Sequence, residues 1–282
     1  MITIDHVTFQ YKDSERPALQ DITLQIEDGE FVGIIGTAGA GKSTLAMSLG
    51  AIIPHEMKGD FYGAIQINGK DTVDHPMDAF CHEIGQVFQD IDSQMVASVV
   101  EDEILFGLEN FGVPREEIGA RLEKVLNELG IADLRTRQIA SLSGGQKQKV
   151  AIASILALEP GIIVLDEPTG ELDPESTEEI FSLLQKLNQE KGITIVIIEQ
   201  KIKLLCEYVK RLIVLDKGEI QFDSVPRDVI AHIDTFKTLG INVPPVAELS
   251  ALLQAEGLYA GQTVLTVDEG ESMVREVLHD SI

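Results

Sequence analysis

Residues 30–53, "EFVGIIGTAGAGKSTLAMSLGAII", decide the fold. Glu30 to Gly36 is short, β-branched and apolar on both faces, as a strand buried in a parallel sheet should be. From Ser43 onward the pattern turns helical. Between the two, Gly36, Thr37, Ala38, Gly39, Ala40, Gly41, Lys42 and Ser43 fill every fixed position of G-x-x-x-x-G-K-[ST]. The glycines let the backbone curl so that several N–H groups point inward, and the helix N-terminus behind them completes an anion nest for a β-phosphate. Lys42 is expected to bridge the β- and γ-phosphates. Ser43, with Thr44 beside it at the helix start, is expected to hold Mg²⁺ and phosphate. A glycine-rich turn without a ligand is the competing reading, and strand, motif and helix in register argue against it.

Working outward, "GIIVLD" (Gly161 to Asp166) and "ITIVII" (Ile193 to Ile198) are strands of the same buried kind. Asp166 closes the first, where it can reach Mg²⁺ through a water shell, and Glu167 beside it is placed to polarise an attacking water. Four other stretches, "ITIDHVTFQY", "LQDITLQI", "GAIQING" and "RLIVLDKGEI", alternate apolar with polar and read as antiparallel strands with one wet face. Between Val99 and Leu158 the period is helical, with Ile118, Leu122, Val125, Leu126 and Leu129 on one stripe. After about residue 225 short helices are interrupted by Pro244-Pro245 and Gly257, which we read as a small C-terminal appendage. Strands alternating with helices predict an α/β fold around a mostly parallel sheet.

The chain has 282 residues, with 22 Lys and Arg against 47 Asp and Glu, a formal charge of −25. So acidic a surface repels phosphate backbones and anionic lipid, so no nucleic-acid partner is expected. The purely apolar runs, such as Ile162 to Leu165, fall far short of the roughly 18 residues needed to span a bilayer. The start, "MITIDHVTF", lacks the basic and long apolar regions of a secretory signal. Cys81 and Cys206 are too few for a disulfide framework and are expected to be reduced and structural.

"LSGGQKQKVAIASILALEP" (Leu142 to Pro160) narrows the field. Ser143 is placed to cap a helix whose Gly144 and Gly145 amides, with Gln146, make a second anion site. With the two preceding motifs this resembles the ABC ATPases, whose signature is LSGGQ. The resemblance covers about residues 1–225. It implies an ABC-type nucleotide-binding domain with a RecA-like parallel-sheet core, an antiparallel β subdomain and an α-helical signature subdomain at about residues 92–158. Residues 226–282 form the appendage. It implies ATP and Mg²⁺ as ligands and a head-to-tail dimer in which LSGGQ closes over the partner's nucleotide. It also places Tyr11 ("VTFQYKD") against adenine, Gln89 ("GQVFQD") at Mg²⁺ and at the docking site of a transmembrane subunit, and Asp173 ("GELDP") at the dimer interface. The chain is then expected on the cytoplasmic face of a membrane, as a peripheral subunit.

"VFQDIDSQMVASVVEDEILFGLENFGVPREEI", with Gln94 five residues after Gln89, is similar to the ATPases of energy-coupling-factor (ECF) importers, whose helical tails add dimer contacts. One position departs from the ABC pattern. "TIVIIEQK" (Thr194 to Lys201) stands where the family has a strand followed by Thr-His-Asp, so Gln200 replaces the switch histidine and Lys201 the acidic residue after it. The six histidines, His6, His55, His75, His82, His232 and His279, all lie elsewhere in sequence. An amide can donate to a γ-phosphate but cannot carry a proton. We therefore expect a site that binds ATP and hydrolyses it slowly, and a second ABC ATPase subunit in a hetero- or homodimer, of which the heterodimer, whose partner supplies the histidine, makes more sense of Gln200. A non-transport or regulatory ABC ATPase is the alternative reading.

Overall fold

Among the described residues ten strands form two sheets. The structure, a computed structural model, describes residues 1–280, with side chains through Leu278, so the side chain of His279 lies outside the described residues. The strands are β1 (Ile2–Tyr11), β2 (Leu19–Ile26), β3 (Phe31–Gly36), β4 (Gly59–Ile67), β5 (Lys70–Asp71), β6 (Ile84–Val87), β7 (Ile162–Asp166), β8 (Thr194–Ile198), β9 (Arg211–Asp216) and β10 (Glu219–Ser224). The helices are α1 (Lys42–Leu49), α2 (Ile91–Gln94), α3 (Val100–Asn110), α4 (Arg115–Glu128), α5 (Gly144–Leu156), α6 (Pro174–Lys191), α7 (Ile202–Tyr208), α8 (Pro226–Ile230), α9 (Ile233–Leu239), α10 (Pro245–Ala255) and α11 (Val267–Asp280).

The central sheet runs β10-β9-β3-β8-β7-β6, parallel from β9 to β6, with β10 antiparallel at one edge. The second sheet, β2-β1-β4-β5, is antiparallel throughout. The period-two geometry of a strand sorts the side chains of the central sheet into two cores. Ile163 and Leu165 of β7 and Ile195 and Ile197 of β8 face the core built with α3 to α7. Ile162, Val164, Val196 and Ile198 face the other core, shared with α1 and the antiparallel sheet. Burial on both faces explains why these strands read as continuous apolar runs.

One expectation is corrected. "RLIVLDKGEI" is not a strand pair with one wet face throughout: Leu212 to Leu215 of β9 are fully buried, because β9 lies parallel to β3 inside the sheet. Only β10, which alternates, shows the wet face. The strand β6, which had no clear signal in the sequence, pairs parallel with β7 and delivers the chain to Gln89.

The helical stripe of α4 falls as its spacing predicts, with Leu122, Val125 and Leu126 buried. Beyond residue 225 the short helices do not stand off the body. Val229, Ile230, Ile233, Phe236, Val243, Ala247 and Leu265 join the core of α3 to α7. Phe222 of β10 stacks on His232 at 4.8 Å and lies near-parallel to Phe236 at 6.4 Å.

Candidate active site

The cradle forms where β3 ends and α1 begins. An added Cβ at Gly36 would fall 2.3 Å from the Leu215 carbonyl oxygen, so only glycine lets β3 pass β9 this closely. Gly41, at φ 99°, precedes the first residue of α1, and its missing Cβ leaves room for the Ala18 carbonyl. Lys42 is buried, and its Nζ donates to the carbonyls of Gly36 (3.1 Å) and Thr37 (3.0 Å), the rim of the cradle itself. These neutral acceptors are ones a phosphate oxygen would displace, since charge-assisted bonds are the stronger. The Tyr11 hydroxyl lies 3.1 Å from Thr44 Oγ1, which brings β1 to the mouth of the cradle.

At the end of β7, Asp166 is only 6% exposed, and its Oδ1 is buried without a hydrogen-bond partner. Burial pushes its carboxyl above the ordinary range. The Ser43 hydroxyl and the Lys42 charge partly oppose that rise, while the charges of Glu167 and Glu199 add to it. A buried carboxylate oxygen with no partner and a serine hydroxyl beside it are hard oxygen donors, and the Gln89 amide reaches the neighbouring Glu167. Such donors fit Mg²⁺. Among the described residues no group of three or more His, Cys, Asp or Glu forms a metal cage, so such an ion would need phosphate or water for its remaining ligands.

Glu167 has a left-handed backbone, φ 48°, which is strained for a residue with a side chain. Its N–H donates to the Ile198 carbonyl at 2.9 Å, tying it to β8. Two amides then grip its carboxylate. Gln89 Nε2 donates to one oxygen at 3.0 Å and Gln200 Nε2 to the other at 2.8 Å. The structure thus brings together residues 78 and 33 positions apart in the chain.

Ser143 caps α5 in a reciprocal box with Gln146: the Gln146 N–H donates to Ser143 Oγ and the Ser143 N–H to Gln146 Oε1. Ser143 and Gly144 are exposed, so the α5 N-terminus faces solvent. Among the described residues no hydrogen bond joins Ser143–Gln146 to the cradle of the same chain. Asp173 caps α6, and the Ser176 N–H and hydroxyl hold its carboxyl below the usual carboxylate range. A cleft of about 700 Å³ opens between these parts, bordered by Gln89, Gly144, Gln148, Glu167, Gln200 and Lys201 among others.

The ECF-like stretch braces the loop after β6. Gln94 Oε1 accepts from the Phe88 N–H (3.0 Å) and its Nε2 donates to the Gln86 carbonyl (3.1 Å). The buried Glu103 carboxylate accepts from the N–H groups of Val96 (2.9 Å) and Ala97 (2.7 Å).

Two residues that the motifs did not mark as site residues flank Gln200. Glu199, only 1% exposed, accepts from the N–H and hydroxyl of Thr169. Lys201 Nζ donates to the Thr169 carbonyl (2.6 Å) and to Thr177 Oγ1 (2.9 Å), with the Leu172 carbonyl at 3.5 Å. Their departure from Thr-His-Asp was the only sign in the sequence.

Residues 19–170 match the family model described as "ABC transporter". The energy-coupling factor transporter ATP-binding protein EcfA1 of Caldanaerobacter subterraneus subsp. tengcongensis is 41% identical over 95% of this chain and 96% of its own. Among solved structures, cbiO1 of Clostridium perfringens, described as part of the ABC transporter complex cbiONQ, aligns with a TM-score of 0.74 and 32% identity, covering 88% of this chain and 97% of that one. The ATP-binding cassette MJ0796, solved as a post-hydrolysis dimer with ADP and Pi, aligns with a TM-score of 0.71 and 32% identity over 80% of this chain and 99% of its own.

Proposed function

The chain belongs to the ABC transporter ATP-binding family and is an ATPase of that family; from that premise we propose that it energises a membrane importer of ECF type. It does so in a head-to-tail dimer whose other ATPase subunit carries the switch histidine that Gln200 replaces here. The observation that carries this reading is the pair of amides on Glu167, one of them from Gln200. The near full-length likeness to an energy-coupling-factor ATPase supports the choice of transporter class.

ATP enters with its phosphates against the amides of Gly39 to Ser43, and Lys42 exchanges the Gly36 and Thr37 carbonyls for β- and γ-phosphate oxygens. Tyr11, at the mouth of the cradle, stacks on adenine. Ser43, Asp166 and Gln89 would hold Mg²⁺, which when bound neutralises charge on the β- and γ-phosphates. Glu167 orients a water molecule for attack on the γ-phosphorus. The new P–O bond forms as the bond to the β,γ-bridging oxygen breaks, ADP leaves, and the water's proton passes to a Glu167 carboxylate oxygen before it reaches phosphate. Ser143, Gly144 and Gly145 close over the partner's γ-phosphate, with Asp173 at the shared interface.

Gln200 donates without accepting a proton, so this composite site binds ATP well and turns it over slowly. Two identical chains would lack the histidine at both sites, which favours a heterodimer. A transmembrane subunit docks near Gln89. Among the described residues no helix is long and apolar enough to cross a membrane. In the proposed complex the membrane path belongs to that subunit, and this chain is peripheral on the cytoplasmic face.

The test is ATP affinity and ATP-dependent dimer size in one sample series, with pull-down of a multi-span membrane protein from the native host. Lys42→Ala should lose tight ATP binding, and Glu167→Gln should keep ATP and lock the dimer. Parent-like binding by Lys42→Ala would sink the nucleotide site, and absence of any membrane partner would sink the transporter role.

A further inference from the structure

We propose that Lys201 is a positioning residue: it ties the switch position to the loop and helix that serve the partner's nucleotide. This rests on the ATPase reading above. The loop 169–172 leads from Glu167 to Asp173, and it is held from the flanks of Gln200 on two sides. Glu199 accepts from the Thr169 N–H and hydroxyl, while Lys201 Nζ donates to the Thr169 carbonyl and the Thr177 hydroxyl and lies 3.5 Å from the Leu172 carbonyl. Between these anchors, Gln200 holds Glu167. The loop in turn rests on the N-terminus of α5. A Cβ added to Gly144 would meet Leu172 Cδ2 at 3.0 Å, and one added to Gly145 would meet Ser176 Oγ at 2.9 Å. Leu172 of the loop and Ser176 of α6 thus both pack closely on the α5 N-terminus, so a shift of the loop is coupled to it through Leu172.

Position 201 thus lies one residue from Gln200, which on the ATPase reading faces the γ-phosphate of the chain's own site, and its Nζ approaches the carbonyl of Leu172, whose side chain abuts Gly144. A cation does what an acidic residue cannot. The acceptors around Nζ are two carbonyls and a hydroxyl oxygen, and a carboxylate there would face carbonyl dipoles of its own sign. Lysine at 201 therefore goes with a loop fastened to the end of the switch strand.

The experiment compares the full-length chain with Lys201→Met and Lys201→Arg, using Lys42→Ala as control, in single-turnover ATP hydrolysis with chain in excess over ATP. ATP affinity and thermal midpoint are measured in parallel. Lys201→Met should slow the maximal single-turnover rate at least tenfold while ATP affinity stays within about twofold, and Lys201→Arg should recover most of the rate. A Lys201→Met chain as fast as the parent would overturn the proposal. So would a rate that falls only in step with ATP affinity and thermal midpoint, because lysine would then merely support the fold. If Lys42→Ala still binds ATP, the fault lies in the ATPase reading; if it does not, a null result at Lys201 counts against the positioning role alone.

Discussion

Gln200→His should raise turnover about ten- to a hundredfold while changing ATP affinity by no more than about threefold. The estimate starts from the contact at stake, Gln200 Nε2 to Glu167 Oε1 at 2.8 Å. A hydrogen bond to a charged group contributes about 1.5–3 kcal/mol. In the open chain Gln200 is exposed and water competes, so the contact is worth less there. On the proposed reading, closure of the dimer would remove that water and restore the upper part of the range. A neutral imidazole at 200 would move its donation from the carboxylate to the γ-phosphate, where charge shifts in the transition state. Glu167 keeps the Gln89 bond at 3.0 Å and stays oriented. Placing about 1.4–2.8 kcal/mol on the transition state alone gives that range of rates, since each 1.36 kcal/mol is tenfold. On the proposed reading ATP affinity would depend mainly on the cradle and Lys42, which the change leaves intact. The assay is single-turnover hydrolysis on parent and variant, with ATP affinity measured separately. The reasoning fails if the parent already matches a histidine-bearing relative and the variant is neutral or slower.

Asp166→Asn should raise the thermal midpoint of the nucleotide-free chain near pH 7 and weaken Mg-dependent ATP binding. Burial raises this carboxyl in the folded state, so its ionisation costs stability above the unfolded pKa; the difference between parent and variant should begin to shrink as pH falls through the folded value and be gone only below the ordinary carboxylate range. Differential scanning at several pH values measures it, and a midpoint below the parent's at pH 7 would contradict the assignment. Gln148 is fully buried and neither of its amide atoms has a protein partner, so Gln148→Met should stabilise the chain by about 1–2 kcal/mol in urea unfolding; a loss of stability would mean the amide is satisfied from the cleft. Burial pushes the Cys206 thiol up to about 12 and raises Cys81 less, so at pH 8 a thiol-specific disulfide reagent should modify Cys81 slowly and Cys206 only after unfolding. Equal rates in the native chain would refute the burial argument.

The parts of the site that could be read in the sequence are those whose chemistry is contiguous. Gly36 to Ser43 announces itself because a tight turn, a close approach and a helix start must follow one another within eight residues. Ser143 with Gln146 does so because a capping box spans a single turn. The double grip on Glu167 was not legible, since its partners lie on separate strand ends that only the parallel sheet brings together. Nor were Glu199 and Lys201: a buried carboxylate and a cation after an apolar strand suggest a solvated end until the loop 169–172 is folded against them. β9 misled for a related reason. Its alternation is that of the β9–β10 hairpin, while its burial is set by β3, a neighbour some 180 residues earlier.

Phe222 lies at an edge of the central sheet, yet its ring sits against His232 and Phe236 from the tail. Gene fusion or recombination that exchanged tails at residue 225 would split this stack and leave Phe222, Val229 and Ile230 to find new partners at once. Such a junction should yield a less stable chain unless the new tail refills those positions. A junction further on, around Gly240 to Pro244, would still part Val243, Ala247 and Leu265 from the core and Arg227 from Glu269, so slow substitution would preserve this tail better than exchange. The change of pattern at residue 225 in the sequence is thus crossed by packing in the fold.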